Sequence, residues 1–288
     1  PVLLVGLLAL LAVWRQHSKE YKRAVQADFL RAFDWGGVLL LSGATIMLVF
    51  YASSRPITGV KALQDWRLLA PTLLLFGGFI LWEKQRANPF VALNIFSYRN
   101  FCLSAFGAGI RKFSMISIAF LIPLYLTDIH ALKADTVGLI MTLHAAALLA
   151  TMRVGGQLAD RWGSRWPVIV GSSVQVGVIG HFALLPDTAP LGWVMAGLAG
   201  HGLGAGLTLA ALDRASINTI PREQRGMAAG LYSMIRFGGT VLGVALGGVV
   251  LQYGLERYAE ASQAYQLAFW FVAGVVSLSV IIGWRLES

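Results

Sequence analysis

Arg111, Lys112 and Arg236 stand deep in otherwise apolar stretches of a chain that is 57% hydrophobic and 13% charged, and Asp213 is the one carboxylate well inside such a stretch. If these stretches cross a bilayer, a base at the centre costs about 2.5 to 3.5 kcal/mol, so three facing lipid would cost on the order of 10 kcal/mol. They are expected to face protein or a watery cavity, where a base can hold an anion and an acid beside a base can exchange a proton. Successive helical residues point about 100° apart, so Arg111 and Lys112 cannot both face one axis. His144, His181 and His201 titrate near neutral pH. His144 joins Asp213 as a candidate for proton coupling, although a lone histidine in this setting more often makes an inter-helix hydrogen bond. The spacing of these residues makes no metal site, and no cofactor is expected.

A second concentration of charge lies in "VGGQLADRWGSRWPVIVG", residues 154–171. A helix ending near Asp160 and another beginning near Ser164 leave a connection of a few residues. Gly163 can take the left-handed conformation, Ser164 can cap, and Pro167 fits the first turn. An acid at a helix C-terminus is disfavoured by the dipole, so Asp160 requires a neighbouring helix N-terminus or an arginine. Gly155 and Gly156 clear space for a second helix to approach.

The elements that position these groups are apolar runs at 1–14, 35–53, 67–82, 101–126, 136–159, 166–186, 191–217, 226–252 and 265–284. With mean hydropathy +0.67, such runs read as an all-α polytopic membrane protein of about nine transmembrane helices, since roughly 20 residues span the ~30 Å apolar core. A β-barrel is excluded by runs such as "GTVLGVALGGVVL", which lack period-two polarity. The third run is short and holds Pro71. The run at 1–14 reads as the tail of a span, with no basic region before it to make a signal peptide. Cys102, the single cysteine, is read as a small core residue and offers no disulfide.

Loop charges orient the bundle. One set of alternate loops holds Arg15, Lys19, Lys22, Arg23, Arg31, Lys84, Arg86, Arg99, Arg161, Arg165, Arg222, Arg225 and Arg285, against Arg55, Lys61, Arg67, Lys133 and Arg257 in the other. The richer set is expected in the cytoplasm, so the loops at 15–34, 83–100, 160–165 and 218–225 are placed there. This accounts for the net charge of +9 without nucleic-acid binding. Arg153 and Arg214, nearer helix ends, are expected to snorkel.

Gly200 and Gly204, Gly202 and Gly206, then Gly239, Gly243 and Gly247 recur every fourth residue and predict smooth strips for close helix packing. "HGLGAG" lacks the preceding strand of a dinucleotide-binding loop. Gly-x-Ser-Gly with a distant histidine, paired acids and His-Glu-x-x-His are all absent, so an intramembrane enzyme is not supported.

"GQLADRWGSR", Gly156 to Arg165, resembles the signature cytoplasmic loop of the major facilitator superfamily. The resemblance implies that Gly156, Asp160, Arg161, Gly163 and Arg165 lock and release a cytoplasmic gate during alternating access. "DWGGVLLLSG", "FILWEKQRANPFVALNIF" with "SYRNF", and "IPREQRGMAAGLYSMIRFGGTVLG" resemble the fourteen-spanner drug/proton antiporter branch. The chain then reads as a fragment of a major-facilitator-like helix bundle. Its parts are the tail of the last helix of an N-terminal half (1–14), a cytoplasmic loop (15–34), two extra linker helices (35–100) and a six-helix C-terminal half (101–288). Implied is a secondary active transporter in a plasma membrane, the bacterial inner membrane, exporting small amphipathic compounds against proton entry. Arg111, Lys112 and Arg236 are its candidate cavity residues. With no comparable central carboxylate, they suit an organic anion as the alternative cargo. The expected partners are the lipid bilayer, a small-molecule substrate and protons; accessory efflux proteins are left open.

Overall fold

The computed structural model describes residues 34–52, 54, 58–60, 64–86, 93–218 and 220–287. The run at 1–14 and residues 15–33 of the loop expected after it lie outside them. The described residues form helices α1 (Trp35–Ala52), α2 (Trp66–Gln85), α3 (Arg99–Asp128), α4 (Ala134–Trp162), α5 (Arg165–Ala183), α6 (Leu191–Asn218), α7 (Arg225–Arg257) and α8 (Ala261–Arg285), with no strand among them. Each of these eight helices is long and apolar enough to cross a membrane.

The short third run becomes a full helix, α2, because its start is well capped. Asp65 Oδ1 accepts the Arg67 N–H at 3.0 Å, and Pro71 falls early enough to cost one backbone bond. The two helices before α3 clasp each other. Asp34 Oδ1 accepts the Gly37 N–H at 3.0 Å and the Trp82 Nε1–H at 2.8 Å, and a Cβ on Gly36 would strike the Trp82 ring. Cys102 is half-buried, packed against the core cluster around Phe101 and Leu212 rather than inside it, with its Sγ donating to the Phe96 carbonyl.

Helices α3 to α8 pack as two triplets, α3–α5 and α6–α8. The main pairings are α4 with α6, α3 with α7, and α5 with α8; α5 also meets α6, α3 also meets α8 and α6, and α7 meets α8. Exchanging one triplet for the other maps each pairing onto another, with the close α7–α8 pair answering to a slighter α4–α5 contact, which is the mark of an internal repeat. The α4–α6 and α3–α7 interfaces are therefore counterparts.

Glycine makes both interfaces tight. A Cβ on Gly202 would strike the His144 carbonyl oxygen and one on Gly206 would lie 2.5 Å from that of Leu148, so α6 meets α4 backbone to backbone. On the opposite side of α6, a Cβ on Gly204 would lie 2.6 Å from the Gly171 carbonyl oxygen of α5, while Gly200 meets only the Val178 side chain. In α7, a Cβ on Gly239 would fall onto the Gly109 carbonyl and one on Gly243 would lie 2.8 Å from the Phe113 carbonyl oxygen, whereas Gly247 has no neighbour closer than 3.9 Å. The expected strip thus ends one residue early, where α3 and α7 diverge. At the far end, Tyr125, Phe182, Tyr265 and Phe269 interlock edge to face and tilted, and the Tyr265 hydroxyl donates to Asp128.

Gly239→Ala is expected to destabilise the full-length protein by about 1–3 kcal/mol, the usual cost of overpacking, and Gly247→Ala to leave it unchanged. Thermal unfolding in detergent checks this; equal melting temperatures for the two variants would contradict the α3–α7 register.

Candidate functional site

The turn at residues 160–165 closes as its composition dictates. α4 ends at Trp162, Gly163 takes φ 79°, and α5 begins at Arg165 with Pro167 in its first turn. Ser164 precedes α5 but its hydroxyl makes no capping bond, contrary to expectation; its backbone carbonyl accepts the Val168 N–H at 3.3 Å.

Asp160 is met by an arginine from another helix. Arg214 Nη1 of α6 lies 3.1 Å from Asp160 Oδ1 and also donates to the Ala159 carbonyl. Arg214 was expected merely to snorkel; it instead neutralises an acid at the C-terminal end of α4 and satisfies a terminal carbonyl there. The other bases of the turn divide. Arg161 is exposed, and Arg165 stacks its guanidinium 5.2 Å above the Trp284 ring of α8, against which Trp166 also packs edge-on. Gly155 sets the approach of α4 to α6, since a Cβ there would lie 2.5 Å from the Leu207 carbonyl oxygen. Gly156 has room, with Ala210 Cβ at 3.5 Å.

Above this turn lies a line of polar groups. Asp213 Oδ1 accepts the Tyr232 hydroxyl at 2.6 Å, and Arg236, a turn further along α7, holds its guanidinium 5.9 Å from the Tyr232 ring centroid. Arg111, 3% exposed, faces the same place from α3, within electrostatic reach of Tyr232, Asp213 and Arg236. At about 1.5 Å per residue, Asp213 lies about 8 Å from the end of α6, Arg236 about 16 Å from the start of α7 and Arg111 about 18 Å from the start of α3, so the groups climb towards mid-bilayer. Lys112, next to Arg111, points elsewhere and is half-buried, as the helical twist requires.

Arg111 is thinly satisfied. Its Nη1 donates to Met115 Sδ at 3.0 Å, a weak acceptor, and its Nε has no hydrogen-bond partner; the Nε of Arg236 has none either. Among the described residues no carboxylate comes within 4 Å of either guanidinium. Asp213 is held by the Tyr232 hydroxyl rather than by a guanidinium.

The histidines are not isolated. His144 Nδ1 and His201 Nδ1 are 3.4 Å apart, with ring centroids 5.0 Å apart, and Ser114 Oγ sits 2.9 Å from His201 Nε2. His201 is fully buried, so α3, α4 and α6 are joined through one imidazole. This pairing was not expected from sequence; the signal available was that His144 and His201 each lie ten residues after the start of helices that run in the same direction. His181 stands apart, against the Trp193 carbonyl. No cluster of three metal-ligating side chains occurs among the described residues.

These features place the chain in a known family of membrane transporters. The Major Facilitator Superfamily model matches residues 101–288, and the chain belongs to that superfamily. It is 24% identical over 254 residues to an uncharacterized MFS-type transporter, YvkA, of Bacillus subtilis (strain 168), covering 88% of this chain and 54% of that protein. It is 26% identical over 237 residues to the tetracenomycin C resistance and export protein of Streptomyces glaucescens, with coverage of 81% and 44%. It is 25% identical over 260 residues to the quinolone resistance protein NorB of Staphylococcus aureus (strain MRSA252), with coverage of 88% and 55%. The chain spans about half the length of these curated relatives.

Arg214 and Asp160 are partly solvated, so their pairing contributes about 0–1 kcal/mol to stability. A double-mutant cycle with Asp160→Asn and Arg214→Gln, read by thermal unfolding, is expected to return a coupling in that range. A coupling of several kcal/mol would mean that the pair is buried.

Proposed function

We propose that the whole protein to which this chain belongs exports small amphipathic compounds by alternating access, driven by proton entry through a bacterial plasma membrane. The observation that carries the reading is the polar line from Asp160 and Arg214 through Asp213, Tyr232, Arg236 and Arg111, inside a six-helix unit of a transporter family. Charge at that depth is tolerated where it lines a watery path, and lipid-facing placement is too costly. The names of two relatives, one a resistance and export protein and one a quinolone resistance protein, support the export direction.

In this reading the 160–165 turn faces the cytoplasm and the Asp160–Arg214 bridge ties α4 to α6 while that side is closed. Opening separates the partners and exposes both to water, at small cost because each is already partly wet. The glycine contacts let α4 slide on α6 and α7 on α3 with little interlocking of side chains. Gly163 and Arg165 hold the start of α5, the latter through Trp284, so that the turn moves as a piece.

A second cargo is favoured by one feature. Arg111 and Arg236 face one another's neighbourhood with no carboxylate within ion-pair distance among the described residues, an environment that suits an organic anion.

Cells expressing the full-length protein decide these points. With ethidium as a cationic probe and fluorescein as an anionic one, extrusion is expected to collapse when a protonophore is added and to fall at least tenfold in Asp160→Asn. Arg111→Gln is expected to spare ethidium extrusion and, if the anion reading holds, to abolish that of fluorescein. Extrusion indifferent to the protonophore would overturn proton coupling, and full activity in Asp160→Asn would overturn the gate.

A further inference from the structure

We infer that Ser114, His201 and His144 form a binding site for a single proton, loaded through His144 and stored across the α4–α6 interface. The starting point is the geometry of the two rings. Their Nδ1 atoms face each other at 3.4 Å, and two N–H groups cannot occupy that line; one hydrogen lies between them, donated by one ring and accepted by the other. The outer nitrogen of His201 is engaged by Ser114, whose hydroxyl can donate to a bare nitrogen or accept from a protonated one. The array therefore has two consistent arrangements of its hydrogens. If His201 donates to His144 at Nδ1, Ser114 donates to His201 at Nε2; if His144 donates, His201 Nε2–H donates to Ser114.

One added proton is accommodated by this arrangement and a second is not. The added proton is taken up by the second arrangement, in which His144 carries its hydrogen at Nδ1, its Nε2 is bare, and His201 Nε2–H already donates to Ser114. A proton arriving at His144 Nε2 makes that ring a donor at both nitrogens while His201 remains the acceptor at Nδ1; one N–H bond forms, the site gains one positive charge, and no other bond is broken. A second proton would place two imidazolium rings 5.0 Å apart with N–H against N–H. The charged and titratable groups facing His201 are His144 from α4 and Arg111 from α3, both of which oppose a second charge; α5 presents the uncharged Gln175 at Gly204. His144 is partly exposed and lies against the Leu198 carbonyl of α6, whereas His201 is sealed, so entry is from the His144 side.

The placement ties the proton to the moving interface. Gly202, directly after His201, is the residue that admits the His144 carbonyl to the α6 backbone, so a slide of α4 along α6 separates the rings and dismantles the site. Its counterpart under exchange of the two triplets, the α3–α7 interface, carries Arg111 and Arg236. A permanent charge in one interface and a switchable charge in the other would let proton uptake bias which interface opens. That use in coupling rests on the transport reading above; the existence of the site does not.

The test uses the full-length protein, labelled with 15N-histidine, in liposomes. Solid-state NMR between pH 5 and 8 is expected to show a coupled Nδ1–H···Nδ1 pair taking up one proton in total, the signal being lost in both His144→Gln and His201→Gln and shifted in Ser114→Ala. Two independent single-proton titrations, or rings that do not titrate in this range, would overturn the site. Melting temperatures of the variants identify any that fail to fold, and Ser114→Ala, which removes one hydroxyl, keeps the test open if the glutamine variants do. A parallel flux measurement with ethidium and an imposed pH gradient separates the two claims: one shared proton with gradient-independent flux would refute proton-driven export and leave the site standing.

Discussion

Backbone-to-backbone contact between helices is the constraint from which the rest of the molecule follows. In an apolar solvent there is little hydrophobic force to drive helices together, and association depends on close packing and inter-helix hydrogen bonds. Gly202 against the His144 carbonyl and Gly239 against that of Gly109 bring paired helices closer than any side chain would permit. Only at that separation can His201 reach His144, Ser117 Oγ donate to the Gly243 carbonyl, and Arg214 bridge to both Asp160 and the Ala159 carbonyl. The polar groups are consequences of the approach as much as causes of it.

The same geometry allocates rigidity. The end marked by Tyr125, Phe182, Tyr265 and Phe269 is held by large interlocking rings and by the Tyr265–Asp128 hydrogen bond. The Asp160 end has its own buried apolar cluster, which includes Phe101, Ala159, Val168 and Leu212, and adds to it a partly solvated ion pair and a cation over an indole. An ion pair between wet partners is easily exchanged for water, and a packed apolar cluster is not.

Much of this was legible in the sequence. Long apolar runs specified the helices, because few other structures satisfy backbone polar groups in lipid, and the Gly-Asp-Arg-Gly turn identified the junction of α4 and α5. Gly163 at positive φ follows directly from its being the only residue there without a Cβ. What escaped depends on which helices touch. The partner of Asp160 lies fifty-four positions away in Arg214, and periodicity says nothing of a contact between α4 and α6. The histidines looked solitary because each is alone on its own helix. Gly247 fits the four-residue pattern yet touches nothing closely, since the pattern marks a face and cannot say where two helices part.

The register of α4 on α6 is the central claim, because it sets both the Asp160–Arg214 bridge and the His144–His201 pair. Gly156→Cys with Ala210→Cys measures it directly, in full-length protein whose other cysteines are replaced by serine. A Cβ at Gly156 would stand 3.5 Å from that of Ala210, within the range of a disulfide. Mild oxidation in membranes followed by peptide mass spectrometry should find the two cysteines cross-linked; thiols that stay reduced in correctly folded protein would contradict that register.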